Sequence, residues 1–313
     1  MSGTPAHRIA AIEAGGTKTI AALCDAEGTP LEQARIATRD PQGTLAEVRD
    51  FLEAAQARHG AAQAAGLASF GPLALDPQAA DFAHLRRTPK PGWGGADLRA
   101  MLPEGLRGAP FGIDTDVNAA ALAEQRHGAG RGLASLAYVT VGTGIGVGLV
   151  LDGRPVRGLL HPEAGHLWPR RADDDPFAGA CPFHGDCFEG LASGPAIQAR
   201  WGAGLDALPP DHRAFALQAD YLGQLAAQIL LLASPQRLVF GGGVMAQATL
   251  LPKVRACTRH WLGDYLDAPA LAVHGDGRDG LESLIVAPGL GTHSGLRGAF
   301  ELGRDALEAH ALR

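Results

Sequence analysis

Residues 8–38, RIAAIEAGGTKTIAALCDAEGTPLEQARIAT, pass from an apolar run through a Gly-Gly-Thr-Lys turn to a second apolar run. An Ala-Glu-Gly turn and a third run follow, a pattern that predicts a three-strand meander. Residues 40–59 carry Leu45, Val48, Phe51 and Leu52 at helical spacing and predict an amphipathic helix. Residues 66–75 read as a further strand ending in Gly71-Pro72. The loop at 88–95, TPKPGWGG, holds a lone Trp93, which suits a sugar face and a hydrophobic plug equally. From residue 135 the first pattern returns in SLAYVTVGTGIGVGLVLDGRPVRG, so that residues 12–17 align with 139–144. A repeated meander followed by helices predicts two related α/β domains facing across a cleft. Residues 111–128 run from a short strand into a helix, with Asn118 placed to cap it. Residues 211–233 set Leu217, Tyr221, Leu225, Ile229 and Leu232 on one face of a long buried helix. A strand at 237–245 runs into Gly241, Gly242 and Gly243, and the chain closes with a strand, a glycine loop and a helix from about Ser294.

Composition adds limits to this pattern. With 313 residues, 46% hydrophobic and 19% charged, the chain reads as a soluble globular protein long enough for two domains. Its net charge of −6 and lack of a basic cluster argue against a nucleic-acid partner. The N-terminus MSGTPAHR has no apolar leader and no uncharged apolar run reaches membrane-spanning length, so the expectation is a cytoplasmic protein without a membrane partner. Of the four cysteines, Cys24 and Cys257 are expected to be buried structural thiols.

The other two cysteines stand in the stretch with the most chemistry, HPEAGHLWPRRADDDPFAGACPFHGDCFEGLASGP at 161–195. Cys181, His184 and Cys187 form a C-x2-H-x2-C run, with His166 upstream, a ligand set that zinc accepts in a closed tetrahedral site. A Cys181–Cys187 disulfide and unrelated surface residues are the competing readings. Metal would serve as the core of a loop of roughly 20 residues with few apolar side chains, and would fix Glu163 and Glu189 beside it. Each carboxylate can accept hydrogen bonds from two hydroxyls of a polyol, with solvated loop acids as the competing reading. At the strand-to-helix junction Asp116 is a plausible general base, unless Asp114, Asp116 and Asn118 merely compete to cap the helix. The two Gly-Thr turns can present N–H groups to phosphate oxygens, and the Gly241 turn can admit an adenosine or phosphate moiety.

Together these segments resemble the ROK family of sugar kinases and repressors, and within it the zinc-containing fructokinase branch. EAGGTK at 13–18 and VGTGIG at 141–146 are similar to the family's phosphate loops, DTDVNAAALAE at 114–124 to its catalytic segment, and HPEAGH at 161–166 to its sugar-binding Glu-x-Gly-His. CPFHGDCFEGLASGPA at 181–196 is the most specific match. The resemblance covers essentially the whole chain. It implies an actin/hexokinase-like (ribonuclease H-like) duplicated α/β fold with an ATP/sugar cleft. The expected division is residues 1–113 plus a C-terminal helix at about 290–313, and a larger domain at 114–289 with the zinc loop at about 161–190.

Carried over, the resemblance implies ATP-dependent phosphorylation of D-fructose, with Asp116 taking the proton of the 6-hydroxyl. Asn118, Glu163, His166 and Glu189 would hold the other hydroxyls, with Gly71 also on the sugar side and His166 bound to zinc as well. Gly15, Gly16, Thr17, Lys18, Thr143 and Gly144 would cradle the phosphates, and Pro195, Gly241, Gly242, Gly243, Val244 and Met245 would line the nucleotide. Glu13 replaces the Asp of many hexokinase-like proteins, as it does in the fructokinase branch, and would order magnesium-bound water. The implied cofactors are Mg²⁺ with ATP and a structural, not Lewis-acid, Zn²⁺; the implied assembly is a homodimer.

Two rivals stand beside this reading. One is a family kinase for glucose, mannose, allose or N-acetylmannosamine, because shared residues do not separate epimers. The other is a sugar-binding regulator without kinase activity; a repressor would need a DNA-reading module, whereas about seven residues precede the first strand.

Overall fold

The computed structural model describes residues 7–275 and 277–312, so residues 1–6 of the N-terminal stretch read above lie outside it. The chain forms two compact units. The first comprises Met1–Ala123, Pro155–His161 and Thr292–Arg313, and the second comprises Glu124–Arg154 and Pro162–Gly291.

The predicted meander opens the first unit as β1 (Ile9–Ala14), β2 (Lys18–Cys24) and β3 (Pro30–Ala37), each antiparallel to the next. Helix α1 (Pro41–His59) starts at Asp40, whose carboxylate accepts from the Gly43 N–H at 2.8 Å, a cap that contributes about 1 kcal/mol. Val48 and Leu52 are buried on its inner face, with Leu45 and Phe51 packed partly against the same core. β4 (Ala64–Ser69) and β5 (Phe111–Thr115) extend the sheet in parallel, and α2 (Asp116–His127) follows β5 directly. The strand expected at 66–75 therefore stops at Ser69. The Phe70 N–H still reaches Ala14 O, but Pro72 two positions later has no N–H to offer a ladder.

The second unit repeats the plan with β6 (Leu136–Val141), β7 (Ile145–Leu151) and β8 (Arg154–Pro155). Helices α3 (Phe188–Ala192), α4 (Gly194–Trp201) and α5 (Arg213–Ala233) precede β9 (Leu238–Gly241), which runs parallel to β6. Then come α6 (Leu250–Leu262), α7 (Leu281–Leu284) and β10 (Ile285–Val286), parallel to β9. The sheet orders are β3-β2-β1-β4-β5 and β10-β9-β6-β7-β8, the same sequence of meander and parallel strands read in opposite directions.

Helix α5 carries the core of the second unit, with Leu217, Tyr221, Leu225 and Ile229 buried as expected. Leu232 is a correction: it is 83% exposed, because the last turn of α5 runs past the core before ending at Ser234. Among the described residues α5 alone is long and apolar enough to cross a membrane, and 72% of that apolar window is buried within the protein.

The closing helix α8 (Ser294–Ala311) belongs to the first unit and lies directly on strand backbone. A Cβ at Gly66 would fall 1.9 Å from Ala299 O, and one at Gly112 would fall 2.1 Å from Leu302 O. A Cβ at Gly298 would meet Ala119 O at 2.1 Å, so the first turns of α2 pack on α8 within that unit. The unit boundary accordingly falls at Ala123, inside α2, where the sequence suggested residue 113.

Candidate active site and metal centre

In the first unit the β1–β2 turn, residues 15–17, is closed by the Gly15 N–H donating to Lys18 O at 2.9 Å. Its carbonyls are held from outside the turn. Thr38 Oγ1 donates to Gly15 O at 2.9 Å, Lys90 Nζ to Gly16 O at 2.6 Å, and the Thr38 N–H to Thr17 O at 3.0 Å. Lys90 was not singled out in the sequence, where Trp93 drew attention in the same loop. Trp93 is wholly buried, edge-on to Phe70, and donates from Nε1 to Arg39 O at 2.8 Å, so it is the plug and not a sugar platform.

At the end of β1 the Glu13 carboxyl sits against Gly295 and Leu296, at the start of α8. Burial, reinforced by the charge of Asp116, pushes it up to about 7, against the pull of Lys18 and of the Leu296 N–H. Its Oε2 is buried without a hydrogen-bond partner among the described residues. Asp116 is the first residue of α2, and burial raises its carboxyl to about 6 although it accepts from the Val117 N–H at 2.9 Å. A carboxylate with that value is ionised at neutral pH yet basic enough to share a hydroxyl proton. Glu13, Asp116 and Lys18 thus converge electrostatically on one place.

Asn118 differs from expectation. The α2 cap is Thr115, whose Oγ1 accepts from the Asn118 N–H at 3.1 Å, and the wholly buried Asn118 donates from Nδ2 to Asp114 at 2.9 Å. That side chain therefore supports the Asp114 carboxylate. Asp114, also wholly buried, accepts at Oδ2 from Arg157 Nη2 at 2.7 Å and Nε at 3.0 Å, a charge-assisted pair with both nitrogens on one oxygen. Arg157 escaped the sequence reading because an arginine in the polar run DGRPVRG looks like a solvated loop residue. In the same unit His161 Nε2 accepts from the Leu73 N–H at 3.1 Å and lies beside Gly71.

In the second unit the four candidate metal ligands come together. His166, Cys181, His184 and Cys187 offer ligand atoms that all lie within 4.8 Å of one another. Cys181 Sγ stands 3.8 Å from His166 Nδ1 and 3.7 Å from His184 Nδ1, and Cys187 Sγ stands 3.5 Å from His166 Nδ1. Two sulfur and two nitrogen ligands around one zinc ion are separated by roughly 3.5 Å, so the donor set and its spacing fit Zn²⁺. Both cysteines are free thiols, which removes the disulfide reading. Burial pushes the Cys187 thiol up to about 12, so a thiolate there needs a cation at hand. Burial also lowers His166, against the pull of Glu189, which favours the neutral imidazole that a metal takes.

The intervening loop is not held by ligands alone. Asp175, nearly buried, accepts from Tyr221 Oη at 2.6 Å and from Arg200 at 3.1 Å, while Arg171 donates to Asp175 O and Phe177 O. Glu163 is exposed at the start of the short turn Ala164–His166, in which the His166 N–H donates to Glu163 O at 3.0 Å. That turn presses on β7 so closely that a Cβ at Gly165 would lie 1.8 Å from Ile145 O.

Glu189, in the first turn of α3, accepts from the Ile145 N–H at 3.0 Å and so is tied to the second Gly-Thr turn. Gly144 lies against the same carboxylate, and Thr143 is exposed at the tip. The Gly194 N–H donates to Gly142 O at 2.7 Å, which brings the start of α4, with Pro195, beside this turn. Gly242 packs against Val141 and Gly194 against Val244, so Gly241 at the end of β9, Gly242 after it, and Val244 and Met245 in the 3-10 turn Gly243–Ala246 join the same cluster. The sequence-predicted residues therefore gather as two sets. Glu13, Gly15, Gly16, Thr17, Lys18, Gly71 and Asp116 lie in the first unit, and the metal ligands, Glu163, Glu189, Thr143 and the Gly241 turn lie in the second.

The model of the ROK family matches residues 9–306. A fructokinase of Zymomonas mobilis is 43% identical over 295 residues, covering 93% of this chain and 94% of that protein. A putative fructokinase of Bacillus subtilis is 38% identical over 300 residues, with 96% of each chain covered. Among solved structures, a ROK hexokinase from Thermus thermophilus superposes with a TM-score of 0.71 at 28% identity, covering 96% of this chain and 99% of that one.

Proposed function

The chain belongs to the ROK family, and on that premise we propose that it is a fructokinase, transferring the γ-phosphoryl group of ATP to the 6-hydroxyl of D-fructose. The observation that carries the reading is the Glu13 carboxyl, which feels both Asp116 and Lys18 and so joins a base to a phosphate turn in one unit. Kinases of this kind need positioning and charge neutralisation more than covalent help.

In this reading Asp116 takes the proton of the attacking hydroxyl as phosphoryl transfer proceeds. The amides of Gly16 and Thr17, with Gly15 closing the turn and Lys18 following it, hold the nucleotide's phosphates. Within the second unit Thr143 and Gly144 are the candidates for phosphate contact, and Pro195 with Gly241, Gly242, Gly243, Val244 and Met245 for the nucleoside. Glu163, His166 and Glu189 accept from the sugar's remaining hydroxyls, and Gly71 borders the sugar. Asn118 supports Asp114 behind Asp116. The unpartnered Oε2 of Glu13 suits a water of the magnesium ion that accompanies ATP.

Zn²⁺ held by His166, Cys181, His184 and Cys187 would cross-link the loop without an open coordination position, a structural role. By that link His166 keeps Glu163 and Glu189 in register for the sugar. The reading extends to a cytoplasmic homodimer, as the family resemblance implies.

The test is ADP release by the purified protein with Mg-ATP over fructose, glucose, mannose, allose and N-acetylmannosamine. Turnover concentrated on fructose, and a loss of about a hundredfold or more in kcat for Asp116→Asn, are expected. Faster turnover on another hexose would overturn fructose as the substrate, and sugar binding without turnover would place the protein among the regulators.

A further inference from the structure

We propose that Lys90 and Thr38 form a clamp that aims the Gly16 and Thr17 N–H groups at the nucleotide's phosphates, with Lys90 a positioning residue for ATP. The proposal rests on the kinase reading above and adds to it a residue outside the phosphate turn.

A trans peptide points its N–H opposite its carbonyl, so whatever holds the carbonyl also aims the N–H. The Gly15 carbonyl shares a peptide with the Gly16 N–H, and it accepts from Thr38 Oγ1 at 2.9 Å. The Gly16 carbonyl shares a peptide with the Thr17 N–H, and it accepts from Lys90 Nζ at 2.6 Å. Lys90 also donates to Thr38 O at 3.1 Å, and the Thr38 N–H donates to Thr17 O at 3.0 Å, so the two clamping residues hold each other. Thr19 and Thr38 hydroxyls lie 2.9 Å apart; since Thr38 donates to Gly15, Thr19 is the donor of that pair.

Among the described residues neither the Gly16 nor the Thr17 N–H has an acceptor, while all three carbonyls of the turn are held. Successive unpaired N–H groups on a turn whose carbonyls face away form an anion-binding concavity. An ammonium on the Gly16 carbonyl also polarises that peptide and strengthens its N–H as a donor. Lys90 is held in place before any ligand arrives, because the Trp93 N–H donates to Lys90 O at 3.3 Å and the indole is fully buried.

The experiment compares wild type with Lys90→Met, Lys90→Arg and Thr38→Val. It reads KM for ATP and for fructose separately, the calorimetric Kd for a non-hydrolysable Mg-ATP analogue without sugar, and the melting temperature. Lys90→Met is expected to weaken nucleotide binding and raise the ATP KM about tenfold, with the fructose KM unchanged within about twofold. Lys90→Arg should recover part of that loss, and Thr38→Val should shift the same two quantities. An unchanged analogue Kd in Lys90→Met overturns the clamp. So does a parallel loss of nucleotide affinity, fructose affinity and melting temperature, which marks a general fold defect. If the wild type binds the analogue but phosphorylates no sugar, the kinase reading fails while the Kd comparison still decides the clamp.

Discussion

Two carboxyl groups in the first unit are hard to ionise, and the cause is chiefly burial. Asp116 is held up at about 6, and Glu13 at about 7 with Asp116's charge adding to the effect. For a base that must be deprotonated, kcat/KM should fall as pH drops through the range of about 6 to 7, read from a pH–rate profile. Stability should run the other way. Starting values of 3.8 and 4.5 mean that the folded state keeps protons the unfolded chain has lost between about pH 4 and 7. Folding is therefore favoured at the acid end of that window and weakens as pH rises through it. Glu13→Gln should flatten the slope of melting temperature between about pH 4.5 and 7; an unaltered slope would contradict the assignment. At this scale residue types were legible and side-chain directions were not. Asn118 looked like a cap by spacing, yet Thr115 caps α2 and Asn118 turns inward to Asp114. Arg157 became meaningful only when its partner was in place.

Among the elements, the short turn Ala164–His166 joins Glu163, proposed above for the sugar, to His166 of the candidate metal cluster and rests on β7 with no room for a side chain at Gly165. A Cβ there would meet backbone, which cannot swing aside, so Gly165→Ala must displace the turn or the strand. The expected result is a raised fructose KM of about tenfold or more with the Mg-ATP Kd retained, measured by kinetics and calorimetry. Equal sugar affinity in the variant would mean that the turn does not set the sugar side. The meanders themselves were readable from their apolar runs and Gly-Thr turns, because a strand–turn–strand unit is local. The parallel strands β4, β5, β9 and β10 join them through connections of many residues, and the exposed end of α5 follows from what that helix packs against.

At the scale of the whole molecule, each unit has its own apolar cluster, and the second unit's does not include Cys181 or Cys187, although both are buried. Asp175, Tyr221 and Arg200 further anchor the loop that the ligands close. Removing zinc with a chelator should therefore leave a cooperatively folded protein that still binds Mg-ATP. Its fructose KM should rise about tenfold and return on adding Zn²⁺, with metal content and KM measured on the same samples. Full fructose affinity without metal would show that the ion has no part in shaping the sugar side. The sequence by itself determined the repeated meander, the ligand set, the candidate base and the family, because each is a matter of residue type at short spacing. Tertiary structure alone decided that Trp93 is a plug, that Asn118 is buried, that α8 lies on β4 and β5, and that Lys90 and Thr38 hold a turn many residues away. Those facts depend on which distant segments share a core, and no local pattern of apolar and polar positions encodes the direction in which a side chain then points.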